Sequence, residues 1–154
     1  MRGRSVTVYE SQETLVAIQR LIAKSADSAG PAIRKNFSST EWAMSAEEFV
    51  GFWGEERMAS ISTVSSEGLV HVVPLGLRLM DGKFYVPTFP DSQRLKDHRA
   101  NPRCAISSWE DHYPAVIVYG LAQESDVDPT GRPVARRQEG ALRQAQAERR
   151  RGAG

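Results

Sequence analysis

The sequence predicts a mainly β domain, a small antiparallel barrel with flanking helices, and three observations lead there. Apolar residues keep helical spacing as far as Trp53 and switch to strand-like alternation from Arg57. Five strand-like runs then follow at short spacing, separated by turn residues. One helical segment interrupts them, a pattern that suits an antiparallel barrel better than a parallel sheet.

The elements can be justified in order. An amphipathic helix is expected from Ser11 to Lys24, with Leu15, Ile18, Leu21 and Ile22 on one face and Ser11 as N-cap. "SADSAGPAIRKNFSST", rich in Ser, Ala, Gly and Pro, reads as a linker or loop. A second helix starts at "SAEEFVGFW", where Ser45 and Glu48 have capping-box spacing and Phe49, Phe52 and Trp53 make an apolar face. The strand runs are "RMASISTV" (57–64), "LVHVVPLGLRLM" (69–80), "KFYVPT" (83–88), "RCAISSW" (103–109) and "AVIVYGLAQE" (115–124). The first two are joined by a turn ending on Gly68, and Asp81-Gly82 is a two-residue hairpin signal. In the second run Leu69, His71, Val73, Leu75, Leu77 and Leu79 alternate onto one face, expected to be the core side. A helix from Ser92 stops before Asn101-Pro102, because the residue before a proline is driven out of helical geometry.

Composition limits the function classes. A chain of 154 residues with 40 % apolar and 25 % charged residues and net charge +1 reads as one globular domain, with no general affinity for nucleic acid or membrane. No stretch is apolar for the roughly 18 residues that a membrane span needs. The N-terminal segment is broken by Glu10, Glu13, Arg20 and Lys24 and does not read as a signal peptide. The lone Cys104, set in an apolar run, excludes an internal disulfide, reads as an inert buried thiol and suits a cytoplasmic protein. From Pro129 onward seven Arg stand against two Glu with no aromatic, a composition expected to stay disordered. The expected organisation is therefore an N-terminal helix and linker (1–44), a barrel domain (45–127) and an Arg-rich tail (128–154).

One stretch carries chemistry. In "PTFPDSQRLKDHRANPR" (87–103) a strand hands over to a helix, and cations crowd the junction. The first turn of a helix leaves N–H donors unpaired and carries partial positive charge, which suits a phosphate. Arg94 and Lys96 add full charges, and the Ser92 hydroxyl can donate to a phosphate oxygen. Taken alone the feature also fits an ordinary solvated helix start.

The order of the elements adds weight. The Thr63-Val64-x-x-x-Gly68 turn, the His71-Val72-Val73-Pro74 strand, the Asp81-Gly82 hairpin, the aromatic third strand, Ser92-x-Arg94, Asn101-Pro102-Arg103 and Gly120-x-Ala122 occur in sequence over residues 45 to 124. In that order and spacing they resemble the pyridoxamine 5′-phosphate oxidase-like, FMN-binding split-barrel family of flavin and deazaflavin oxidoreductases. The resemblance implies a split β-barrel of six strands, a homodimer, and FMN or a deazaflavin coenzyme at the subunit interface. Carried over by position, it implies that the strand holding Val73, Pro74, Leu75, Gly76 and Arg78 runs beside the flat ring. Val86, Pro87 and Thr88 would meet the ribityl chain and phosphate. Ser92, Gln93 and Arg94 match the family's phosphate signature, with Arg94 as cation and Arg78 as a second basic position. The small Pro74 and Gly76 agree with a ring approaching the backbone.

The sequence departs from the family pattern in places. Gln93 stands for one of two usual basic residues, and Pro87 lacks a backbone donor. No counterpart of the arm that binds pyridoxal phosphate is evident, which speaks against vitamin B6 oxidation. The final strand is unmarked: either "GRPVARR" supplies it, or the N-terminal helix covers the gap, or this copy of the fold is compromised. No catalytic residue is assigned. His71 reads as core or pocket-lining, His98 as solvated, Trp53 as core, and His112 with Trp109 and Tyr113 as a candidate substrate wall.

The leading expectation is thus a cytoplasmic flavin- or deazaflavin-dependent oxidoreductase acting on a small conjugated substrate by hydride or electron transfer. The alternative is a split barrel that holds flavin, or less readily haem, without turnover; the histidines have no haem-ligand spacing. A basic-tailed interaction protein is the third reading. Metal hydrolysis is disfavoured, since there is no His-Glu-x-x-His and no cysteine pair.

Overall fold

The structure, a computed structural model, describes residues 10–36, 43–54, 56–111 and 114–125. Four helices are described: α1 (Gln12–Asp27), α2 (Pro31–Asn36), α3 (Ala46–Trp53) and α4 (Gln93–Ala100). The strands are β1 (Arg57–Val64), β2 (Val70–Met80), β3 (Lys83–Tyr85), β4 (Arg103–Trp109) and β5 (Ala115–Leu121). The strand order is β3-β2-β1-β4-β5 in an antiparallel sheet with helices, the mainly β class expected and consistent with a split barrel. Contacts divide the chain into two units, Met1–Arg57 with Gly76–Val86, and Met58–Leu75 with Pro87–Gly154.

In the first unit α1 and α3 begin as their capping residues dictate. The Ser11 hydroxyl accepts from the Thr14 N–H. Ser45 and Glu48 exchange both hydrogen bonds of a capping box, at 3.1 and 2.8 Å. Leu15 and Ile18 of α1 pack against Ala46 and Val50 of α3, with Ile22, Phe49 and Leu79 beside them. The Gln19 side-chain oxygen accepts from the Ala46 N–H at 2.8 Å, satisfying one of the donors that a helix start leaves unpaired. Trp53, fully buried, meets Phe84 edge-on at 4.7 Å, Phe52 at 5.3 Å and Phe49 at 6.2 Å. The β2–β3 hairpin pairs Leu79 with Phe84 across Asp81 and Gly82, whose φ values of 50° and 70° are the positive pair a two-residue hairpin demands. Gly82 donates its N–H to the Glu10 carboxylate at 3.1 Å.

In the second unit β4 lies between β1 and β5. Ile61 faces Ile106 in one register, and Ile106 faces Val118 in the other. Ala59, Ile61, Thr63, Ile106 and Ser108 are buried on one side of this sheet. The opposite side carries Met58, Trp109, Ile117, Tyr119 and Leu121, all exposed.

Three expectations need correction. The supposed linker contains α2, which starts on Pro31 and ends with Arg34 and Lys35 in its last turn, the residue placement a helix favours. The third strand ends at Tyr85 instead of Thr88, ahead of a proline that cannot donate to a ladder. The buried face of β2 is confined to its second half: Leu77 is 1 % exposed and Leu79 packs on the α1–α3 cluster, whereas Leu69 and Val73 are 58 % and 36 % exposed. The Arg-rich tail and the sixth-strand segment "GRPVARR" lie outside the described residues.

Replacing Trp53 by Ala is expected to cost about 3–5 kcal/mol, the range for deleting a fully buried Trp or Phe side chain. Trp53→Phe should cost less, because it also removes the buried indole N–H, which has no partner among the described residues. Urea denaturation of the three proteins checks the order.

Candidate functional site

The strand-to-helix junction keeps the organisation its residues prescribe. Ser92 has extended backbone angles, φ −65° and ψ 144°, and its hydroxyl accepts from the Leu95 N–H at 3.3 Å. The Ser92 side chain therefore caps α4 itself. The N–H groups of Gln93 and Arg94 are first-turn donors that no helix can satisfy internally.

Arg94 is the unusual member. It is only 8 % exposed, and its Nη2 donates to the Pro87 carbonyl at 2.7 Å and to the Thr88 hydroxyl at 2.9 Å. Three of the expected phosphate ligands, Pro87, Thr88 and Arg94, are thereby brought together beside Ser92. The Arg94 Nε is buried without a partner, and no carboxylate among the described residues pairs with this guanidinium. Burial pulls its pKa down, yet a guanidinium stays charged at neutral pH. A buried cation that lacks an anion is costly, and a phosphate monoester would relieve that cost while taking up the spare Nε donor.

The Gln93 side chain joins a second cluster. Its amide donates to Asp97 Oδ1 at 2.9 Å, one turn further along α4. Asp97 is 1 % exposed, and its Oδ2 also accepts from the Thr63 hydroxyl at 2.6 Å and from His71 Nδ1 at 2.8 Å. The Thr63 bond foremost, with help from Gln93 and His71, holds the carboxyl down at about 2 against the opposing effect of burial. Thr63 sits on β1 and His71 on the first half of β2, so one carboxylate ties α4 to two strands. Sequence reasoning named Thr63 only as part of a turn motif, with no role, and did not single out Asp97. Its only local trace of this cluster was the i, i+4 spacing of Gln93 and Asp97.

The remaining expected residues divide between the two units. In the second, Val73 and Pro74 are exposed and Leu75 is half-buried. In the first, Gly76 lies under the Glu56 carboxylate: a Cβ placed on it would come within 2.6 Å of Glu56 Oε1. Arg78, exposed, reaches the same carboxylate at 3.4 Å, and Val86 is half-buried.

His98 is not solvated as expected. It stands one turn from Arg94 on α4 and is half-buried, and its Nδ1 has no partner among the described residues. Desolvation, then the Arg94 charge, depress its pKa. Trp53 is core, Trp109 is exposed on β4, and His112 and Tyr113 lie outside the described residues. Among the described residues there is no group of three His, Cys, Asp or Glu able to hold a metal, and no helix long and apolar enough to cross a membrane.

The depressed Asp97 pKa sets an acid limit. Ionised Asp97 contributes stability above the usual aspartate range, and that contribution is lost as pH falls through the folded value, between about pH 4 and pH 2. Asp97→Asn should lower the urea midpoint at pH 7 and flatten this acid limb; a limb unchanged in the variant would clear Asp97 of the role.

Among known families, residues 45–152 match the family model described as pyridoxamine 5′-phosphate oxidase. No curated protein and no solved structure matches the chain.

Proposed function

The chain belongs to the pyridoxamine 5′-phosphate oxidase family, and on that premise we propose that it is a flavin-dependent oxidoreductase whose cofactor phosphate is held at the start of α4. The observation that carries this reading is the buried Arg94 guanidinium, bonded to Pro87 and Thr88 but to no anion among the described residues. Arg94, the Thr88 hydroxyl and the first-turn amides of α4 would grip the phosphate. FMN and a deazaflavin coenzyme present the same phosphate to this corner, and FMN is the cofactor proposed. Val73, Pro74 and Leu75 would lie beside the ring, with the exposed Pro74 leaving room for close approach. When bound, the flavin would supply hydride or electron transfer to a small conjugated substrate. The chain's residues would hold it, keep water from it and set its hydrogen bonding.

A homodimer forms part of the same proposal. Register places Ile117, Tyr119 and Leu121 in one exposed file on β5, continuous with Trp109 on β4 and Met58 on β1. An apolar sheet face of this kind marks an interaction surface, and a second copy would cover it. Sedimentation should show a dimer, and Tyr119→Glu combined with Leu121→Glu should give a monomer; a wild-type monomer at micromolar concentration would rule the assembly out.

The phosphate assignment is tested by comparing FMN with riboflavin, which lacks the phosphate. Arg94→Ala should weaken FMN binding by about 1.5–3 kcal/mol, roughly tenfold to a hundredfold, and leave riboflavin binding unchanged. Equal losses for both ligands would mean that Arg94 acts only through the fold. Unchanged FMN affinity would move the phosphate elsewhere. Bleaching of the bound flavin by NADPH, with reoxidation by a conjugated substrate, separates an enzyme from a carrier.

A further inference from the structure

The Thr63–Asp97–His71 cluster does more than fasten a helix. Asp97 is buried and ionised, so both of its oxygens act as acceptors only. The proton in the His71–Asp97 hydrogen bond therefore belongs to His71 Nδ1. In neutral imidazole that leaves the lone pair on Nε2. The His71 side chain is 37 % exposed while its carboxylate partner is 1 % exposed, so one edge of the ring is anchored and the ring as a whole still reaches solvent. The Thr63 hydroxyl and the Gln93 amide fix the carboxylate from two other directions. An imidazole oriented by a buried carboxylate, with its second nitrogen on offer, is the arrangement that makes a histidine an effective proton carrier.

Its place in the fold supports the same conclusion. His71 Nδ1 and Gln93 Nε2 bind the two oxygens of one carboxylate, so the imidazole is joined through Asp97 to Gln93, the first residue of α4, next in sequence to Arg94. Two residues along β2, Val73 begins the stretch proposed to run beside the ring. We propose that His71 is the proton-exchanging side chain of this site, locked by Asp97 in its Nδ1–H form so that Nε2 meets an N–H or O–H group of the bound flavin. The ligand proton passes to Nε2, the imidazolium stays paired with Asp97, and return of that proton restores the starting state. This inference rests on the flavin reading for the identity of the ligand, and on geometry alone for the state of His71.

Diethyl pyrocarbonate tests both parts on the full chain, because it transfers its ethoxycarbonyl group to an unprotonated imidazole nitrogen and releases carbon dioxide and ethanol. Mass spectrometry of the His71 peptide, with His71→Gln as blank, gives the rate at that side chain. Saturating FMN should suppress the reaction, and Asp97→Asn, whose amide would donate to Nδ1 and move the proton to Nε2, should slow it by about tenfold or more. Should the variant fail to fold, the side-chain nitrogen shifts of wild-type His71 read the same property by NMR, and a proton on Nε2 overturns the proposal. An unaltered rate in folded Asp97→Asn overturns it too, as does an unaltered rate when calorimetry shows FMN bound. Failure of FMN to bind at all would refute the flavin reading, and the rates without ligand would then decide the state of His71 alone.

Discussion

The second unit is organised around a single carboxylate. Asp97 accepts from Thr63, His71 and Gln93, three donors delivered by β1, β2 and its own helix. A buried charge is tolerated only when its lone pairs are filled, and here they are filled by groups that thereby become fixed. The direction of α4, and hence the corner where Ser92, Arg94, Pro87 and Thr88 meet, follows from that bond set.

Arg94 supplies the complementary half. Asp97 is saturated, whereas Arg94 is buried with a spare donor and no counter-anion among the described residues. Both side chains sit on one eight-residue helix, three positions apart. Stability is thus concentrated on one face of α4 and unsatisfied charge near its start. Such a division is expected of a binding site, where part of the local order is left for the ligand to complete.

What the sequence disclosed was what depends on neighbours in the chain. The caps at Ser11, Ser45 and Ser92, the Asp81-Gly82 hairpin and the strand patterns of β1 and β4 are local devices, and each lies where its pattern put it, whereas β5 ends at Leu121 instead of Glu124. The helix from Pro31 was missed: its proline at the first position and basic last turn are local signals, but Ser, Ala and Gly around it masked them. The Thr63–Asp97 and His71–Asp97 bonds span 34 and 26 residues, and no local pattern encodes them. Arg94 was found as a residue but not as a buried one, since burial depends on how the segment from Pro87 to Thr88 folds back over it. The outer half of β2 misled for the same reason: alternation shows which residues share a face, not whether another layer covers it.

Gly76 has a consequence of its own. The three nearest atoms that a side chain there would meet all belong to the end of Glu56, an exposed and flexible residue. The two positions are therefore coupled mechanically: bulk added at 76 displaces the acid at 56 and leaves the guanidinium at 78 unneutralised. An uncharged position thus acts as a regulator of local surface potential, and a single methyl group at residue 76 would alter the charge pattern of that strand without adding or removing an ionisable group.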